Sequence, residues 1–439
     1  MAAHGGADGR SVQEPAITQG SESSAFISAG SIDITPDRPL PLAGYPERRR
    51  PSSGVADPLE LNALLLRAPG QTVAILTADL LFVTAELKAR LLQAVGARLG
   101  VDEASLLVAA THTHTAPALD PGKPRLGPCD PGYAALVAQR ATELLGRLAS
   151  IDPVPCHVDY RTGAADHAIN RRRPGWHVSL RHLPYRGVRR APNPAGPRDE
   201  TLHLLTFSDP TDRPLAVLWS YACHPVGFPG RTRVSADFPG VVRRALRDAH
   251  GAELPVLFLQ GFAGDVRPRE IGATTRFARR LAELVVGALF TTFTPAQYTA
   301  WAGSLAERVV GVARGALRTR RPIAPQCRRE RTALSALVAG ATAGRDVTFQ
   351  RVSLDPGLHL VAVSAEPVTP YGAVLRRIYP GAVLPVGCID SVFGYLPTAS
   401  MLGERGYEDS AFMQPFGLSG RFRPDVEGVV IQAWERLAR

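Results

Sequence analysis

The sequence predicts a mixed α/β domain, and three observations carry that reading. Apolar runs of strand length, such as Leu106–Ala110, Leu202–Phe207 and Val256–Leu259, alternate with amphipathic helical stretches such as Thr84–Leu99 and Tyr133–Leu148. The run Thr72–Leu80, the helix Thr84–Leu99 and the run Leu106–Ala110 form a β-α-β crossover, which calls for parallel pairing and a right-handed connection. Strand patterns resume after every Pro/Gly-rich stretch, and no internal repeat is visible. The expectation is one large domain over residues 25–439, a mixed β-sheet core flanked by helices, after a disordered leader over residues 1–24.

The elements follow in order. Phe26–Ile34 alternates as a first strand and stops at Thr35-Pro36. Leu59–Leu66 and Thr72–Leu80 are joined by Pro69-Gly70, a hairpin signal. Asp79 near the end of the second is a ligand, an orienter or a helix cap. The helix Thr84–Leu99 stops at Gly100. After the helix Tyr133–Leu148 comes a strand at Val158–Gly163, with Asn170-Arg171-Arg172 in the loop beyond it. Pro184–Arg198 reads as a flexible loop. Strands at Leu202–Phe207 and Leu215–Tyr221 lead to Ala222-Cys223-His224-Pro225, and Asp237 precedes a helix at Val241–Ala249 as a cap or functional carboxylate. Strand Val256–Leu259 runs into a glycine-rich loop, Gln260–Pro268. Helices are expected at Thr275–Phe290, Tyr298–Leu317, near Val368–Ile378 and at Pro424–Leu437. Further strands fall near Arg331, Val347 and Leu358 and at Val383–Val386.

The composition is that of a soluble globular chain, with 45% hydrophobic and 21% charged residues. No apolar run reaches the ~18–20 residues that span a membrane, and the N-terminus lacks a basic-then-apolar secretion pattern. Five widely spaced cysteines without a Cys-x-x-Cys fit a reducing cytoplasm rather than a disulfide framework or a cysteine metal site. The net charge of +10 is almost all arginine, scattered apart from short clusters. A nucleic-acid partner would show a basic helix or an aromatic-basic platform, so none is expected. A small anionic substrate is the better use of a few arginines.

The chemistry centres on Thr111-His112-Thr113-His114-Thr115-Ala116-Pro117, at the end of a buried strand that Pro117 cannot continue. An extended chain would put His112 and His114 on one face, where two imidazoles suit a zinc site as ligands or as ligand and proton carrier. By themselves His224 reads more readily as a packed core histidine and Glu366 as a surface or capping carboxylate, and Tyr395 and Tyr407 read at least as readily as core aromatics.

Five motifs in order resemble the neutral (non-lysosomal) ceramidases, and more closely their shorter bacterial relatives. These are Ile32-Asp33-Ile34-Thr35-Pro36 with Gly44-Tyr45; Ala110-Thr111-His112-Thr113-His114; Ala222-Cys223-His224-Pro225; Ser235-Ala236-Asp237 with Phe258-Leu259-Gln260-Gly261 and Gly264-Asp265-Val266; and Gly394-Tyr395 with Thr398 and Gly406-Tyr407-Glu408. The resemblance implies the fold of the ceramidase N-terminal domain and a Zn2+ cofactor held by His112, His224, Glu366 and Tyr395. It implies substrate contact by His114, Arg171 and Tyr407, and places Asp237 and Asp265 nearby as orienters or caps. The family's C-terminal immunoglobulin-like domain is not expected, since about 30 residues follow Tyr407. Two departures argue against ceramide itself. Arg267 stands where the ceramidases have a serine, and Ser364-Ala365 precedes Glu366 where they have Pro-Gly.

With zinc and an open coordination position, water is activated and a carbonyl polarised. The expected function is therefore a cytoplasmic zinc-dependent amidohydrolase that cleaves a C–N bond of a small anionic amide. Tyr407 would support the oxyanion, His114 would carry a proton to the leaving amine, and Arg267 would bind the substrate's anion. Two alternatives stay open: acyl transfer, ester cleavage or amide-forming cyclisation in a biosynthetic pathway, and a non-catalytic metal-binding protein.

Overall fold

The computed structural model describes residues 25–48, 50–179, 182–271, 283, 287–316 and 318–439. The leader over residues 1–24 and most of the helix expected at Thr275–Phe290 lie outside them. The central sheet has nine strands. Eight run in the order β10-β9-β8-β5-β1-β2-β3-β4 and β12 pairs with β5. They are β1 (Ala25–Asp33), β2 (Glu60–Ala68), β3 (Gln71–Ala78), β4 (Leu106–Ala110), β5 (Val154–Ala164), β8 (Thr201–Ser208), β9 (Pro214–Tyr221), β10 (Val256–Gln260) and β12 (Thr319–Arg321). The pairs β3–β4 and β9–β10 are parallel and the others antiparallel, so the sheet is mixed as expected.

The two-residue period of the strands sorts their side chains into separate cores. Leu64, Leu66, Ile75, Leu107 and Ala109 face a second sheet. That sheet has the order β13-β15-β16-β18 and consists of Gln326–Ala333, Asp346–Asp355, Leu358–Val363 and Ala382–Val386. Leu61, Leu65, Leu76, Val108 and Ala110 face the opposite way, toward the helices Ala85–Leu91, Pro131–Ser150 and Val426–Ala438. A third core joins β8–β10 to the helices Asp237–His250 and Pro295–Arg314. Each fully buried leucine contributes roughly 1.5–3 kcal/mol, a surplus that can hold unfavourably placed polar groups elsewhere.

The helix expected at Thr84–Leu99 forms, with Thr84 capping Leu87 N and Gly100 ending it at φ 66, but its middle, Leu92–Gly96, widens into π-helical turns. Two expectations are corrected. Asn170-Arg171-Arg172 lies in a strand, β6 (Ala168–Ser179), and most of Pro184–Arg198 belongs to its antiparallel partner β7 (His182–Asn193). This ribbon pairs with β11 (Val266–Pro268), inside what reads as a glycine-rich loop. Its strands are rich in arginine and carry no alternation of apolar residues, so the usual strand signal is missing.

Three connections bring the sheet's ends together at one place. The segment Gly387–Asp390 bridges β4 and β10, with Gly387 N donating to Gln260 O at 2.8 Å and Ala110 N to Cys388 O at 3.0 Å. A two-residue parallel pair, β17 (Glu366–Pro367) with β19 (Tyr395–Leu396), sets Glu366 directly beside Tyr395. Gly264 N closes onto Pro367 O at 2.8 Å, and a Cβ at Gly264 would lie 2.6 Å from Glu366 O.

Candidate metal centre

His112 follows β4 and His224 follows β9. The chain does not stay extended through the histidines: His112 takes a left-handed φ of 69, its N–H donating to Leu80 O. The turn still gathers the imidazoles. One nitrogen from each of His112, His114 and His224 lies within 4.8 Å of the others.

The hydrogen bonds fix the tautomers. His112 Nδ1 lies 2.9 Å from Leu81 O and His224 Nδ1 lies 2.7 Å from Ala263 O. Carbonyl oxygens only accept, so both protons sit on Nδ1 and both Nε2 atoms present bare lone pairs. Those atoms are 3.2 Å apart. Glu366 Oε2, buried and without a donor of its own, lies 3.3 Å from one and 3.1 Å from the other. Tyr395 Oη lies 3.4 Å from His224 Nε2. Four donors at tetrahedral ligand distances of about 2.0–2.1 Å would be separated by about 3.3 Å. The residues therefore fit a metal cation. A proton can satisfy only one pair of these atoms, while a metal satisfies all four.

The electrostatics agree. Burial opposes a charge on Glu366, but His112 and His224 outweigh it and hold the carboxyl well below its ordinary range. Burial pushes His224 down to about 4. Burial works the same way on His112, where Cys388 and Glu366 win and raise it well above the usual value. Burial raises the Tyr395 phenol well above normal, with Arg171 pulling the other way. A metal or a proton must supply positive charge here.

His114 stands beside this set, its ring 5.1 Å from that of His112 and 5.8 Å from that of His224. Its Nδ1 lies 3.2 Å from Gly44 O, and its Nε2 is buried without a partner. Burial, then His112 and His224, drive its pKa well below the ordinary histidine value. The seat is made by Gly44, at φ 102, where a Cβ would lie 2.3 Å from His114 Nδ1. Arg48 Nη2 fixes the His114 carbonyl at 2.7 Å.

The remaining expected residues are mostly engaged with the protein. Arg171 is buried, donating from Nε to Glu408 at 2.9 Å and from Nη2 to Gly264 O at 2.7 Å. Its guanidinium lies over the rings of Tyr395 at 5.3 Å and Tyr407 at 5.6 Å, so it orients both tyrosines. Tyr407 packs edge-on to Tyr395 at 5.3 Å. Asp265 receives Thr369 N at 2.7 Å, Thr369 Oγ1 at 3.0 Å and Asn170 Nδ2 at 3.1 Å, tying the Glu366 segment to β6. Asp237 opens a helix at φ 56 and accepts from Phe228 N, Phe238 N and Tyr298 Oη, a buried cap. Arg267 is ion-paired with Glu270 and stacked on Phe290. Asp79 bonds Arg243 Nη1 at 2.8 Å and Glu60 N at 3.0 Å, an orienter of the helix Asp237–His250.

Sequence reasoning did not assign roles to Gly44, Glu408 or Cys388. Gly44 and Glu408 were legible as members of motifs, whereas Cys388 is marked only by its fold position beside His112.

Comparison with solved structures gives the fold its place. It is similar to that of the neutral ceramidase from Pseudomonas aeruginosa, with a TM-score of 0.71 and 15% identity over 94% of this chain and 74% of that one. It is equally similar to a structure described as ceramidase complexed with C2, with a TM-score of 0.71 and 13% identity over 94% and 75% of the two chains. No protein-family profile matches the sequence, and no curated protein matches it. The fold is ceramidase-like, as the motifs imply. Among the described residues no helix is long and apolar enough to cross a membrane.

Proposed function

We propose that this chain is a zinc-dependent amidohydrolase that cleaves the C–N bond of a small amide. One observation carries the reading: two bare imidazole nitrogens, a buried carboxylate oxygen and a phenol oxygen converge at the spacing of metal ligands. The ceramidase-like fold supports the reaction type, because ceramidases cleave an amide.

His112 Nε2, His224 Nε2, Glu366 Oε2 and Tyr395 Oη would hold the metal. When bound, it lowers the pKa of water toward neutrality and polarises a carbonyl oxygen. His114 Nε2, neutral because its pKa is depressed, takes the proton from the attacking water and passes it to the departing nitrogen. The Tyr407 hydroxyl donates to the developing oxyanion. Arg171 acts as a positioning residue, holding Tyr395 and Tyr407 in place. No side chain is asked to act as nucleophile, since Arg267 occupies the place where the ceramidases carry a serine.

The test is a screen of small amides with the metal-loaded protein, before and after chelation and with and without an added amine acceptor. Release of free acid and amine that stops on chelation and returns with zinc is the expected result. Product formed only with the acceptor would replace hydrolysis by acyl transfer. Turnover untouched by chelation would remove the metal from the mechanism.

A further inference from the structure

Two arginines flank the site, one on its His114 side and one on its Tyr395 side. On one side the His114 ring meets the Tyr45 ring at 5.3 Å, and the Arg231 guanidinium lies over Tyr45 at 4.8 Å. On the other side the Tyr395 ring meets Tyr407 at 5.3 Å, and the Arg190 guanidinium lies over Tyr407 at 4.9 Å. Arg190 therefore stands two ring contacts of about 5 Å from the metal donor Tyr395, and Arg231 stands two such contacts from the proton carrier His114. Stacking orients a guanidinium plane while leaving its N–H edge free to donate.

Their neighbours differ from them in one respect. Arg171 and Arg172 are paired with Glu408, and Arg267 with Glu270. Arg48, also over the Tyr45 ring, spends its donors on the carbonyls of Leu42, Ala43, His114 and Arg231. Among the described residues, Arg190 and Arg231 have no carboxylate within ion-pair distance.

Other guanidinium groups lie close to both arginines. Arg190 sits directly opposite Arg172 across β6 and β7, a like-charge pair that costs stability in a sheet. It also lies within electrostatic reach of Arg171 and Arg267, and Arg231 within reach of Arg267. Glu270, a carboxylate within electrostatic reach of Arg231, is already engaged in its ion pair with Arg267. An excess of guanidinium charge held this way is relieved by an incoming anion.

We infer that Arg190 and Arg231 bind an oxyanion on the substrate, a carboxylate or a phosphate, and select acidic amides over neutral ones. The inference rests on the amidohydrolase reading and moves anion recognition from Arg267 to two unpaired arginines. The two-ring spacing calls for an acid several bonds from the scissile C–N bond, beyond the reach of an α-carboxylate.

The probes are N-acetyl ω-amino acids of increasing chain length, each beside its terminal carboxamide, and N-acetyl amino-alcohol phosphates of matching length. The expected result is a preference of about tenfold or more in kcat/KM for the acid at one chain length. In an Arg190→Ala, Arg231→Ala variant that ratio should fall toward one, and an Arg190→Lys, Arg231→Lys variant should keep part of it. Comparing carboxylate with phosphate probes identifies the preferred oxyanion. A preference for neutral amides, or an acid preference unchanged in the alanine variant, overturns the inference. Calorimetry with inorganic phosphate reads the site without catalysis: binding should weaken about tenfold in the alanine variant at equal zinc content. Equal phosphate binding in both proteins sinks the inference. If no probe is cleaved but phosphate binding depends on the two arginines, the amidohydrolase reading fails and the anion site stands.

Discussion

Replacing His114 with alanine is expected to lower kcat by about 10²–10⁴-fold while the bound metal stays in place. His114 Nε2 is a buried imidazole nitrogen without a hydrogen-bond partner, and it lies beside the nitrogens of His112 and His224. The four donors of the metal set do not include it, so truncation removes proton transfer and leaves the metal. The pH profile makes the test specific. A histidine with a lowered pKa stays neutral to lower pH, and activity that needs its free lone pair is lost only as pH falls through that lowered value. The acid limb of kcat/KM should therefore lie below the ordinary histidine range in the parent and be absent in the variant. A bound cation would push it lower still. Gly44→Ala reaches the same end by another route, since its Cβ would collide with the His114 ring. It should lose roughly a hundredfold in kcat at full metal content. Loss of metal from either variant would make His114 a ligand and remove it as the proton carrier.

The second large effect belongs to Glu366. A metal present at a thousandfold over its Kd adds about 4 kcal/mol to folding stability, because only the folded chain assembles the donors. In Glu366→Gln most of this gain should disappear, since the neutral amide is a poor ligand. The metal-free variant should nonetheless be at least as stable as the metal-free parent. Its side-chain NH2 can donate to a bare Nε2 without any charge, whereas the metal-free parent must hold a charged carboxylate and the proton that His112 takes up against it out of water. Thermal denaturation of both proteins, chelated and then reloaded, reads both signs. A parent whose Tm ignores the metal, or a metal-free variant much less stable than the chelated parent, contradicts this account.

Much of the sheet was legible in the sequence because it is buried on both faces. Strands such as β4 and β10 are uninterrupted apolar runs, and hydrophobic burial is what those letters report. The ribbon of β6 and β7 was not legible. Its arginines alternate with nothing apolar, and Arg172 within it is held by ion pairs to Glu404 and Glu408, distant in sequence. The same division runs through the site. His112, His224 and Tyr395 were named from ordered motifs and Glu366 from the resemblance those motifs carry, and the chain brings them together. The left-handed turn at His112 and the Glu366–Tyr395 register could not be read from letters, since both depend on tertiary hydrogen bonds. Arg190 and Arg231 were hidden by number. In a chain where all but two of the 50 basic residues are arginine, only the fold shows which ones lack a partner.

The most direct test of the metal centre is the metal content of the purified protein beside that of a His112→Ala, His224→Ala variant, with both shown to be folded. The account predicts about one zinc per chain in the parent and almost none in the variant. Full metal in the variant would place the ion elsewhere. A folded parent that neither contains zinc nor takes it up on titration would contradict the centre itself.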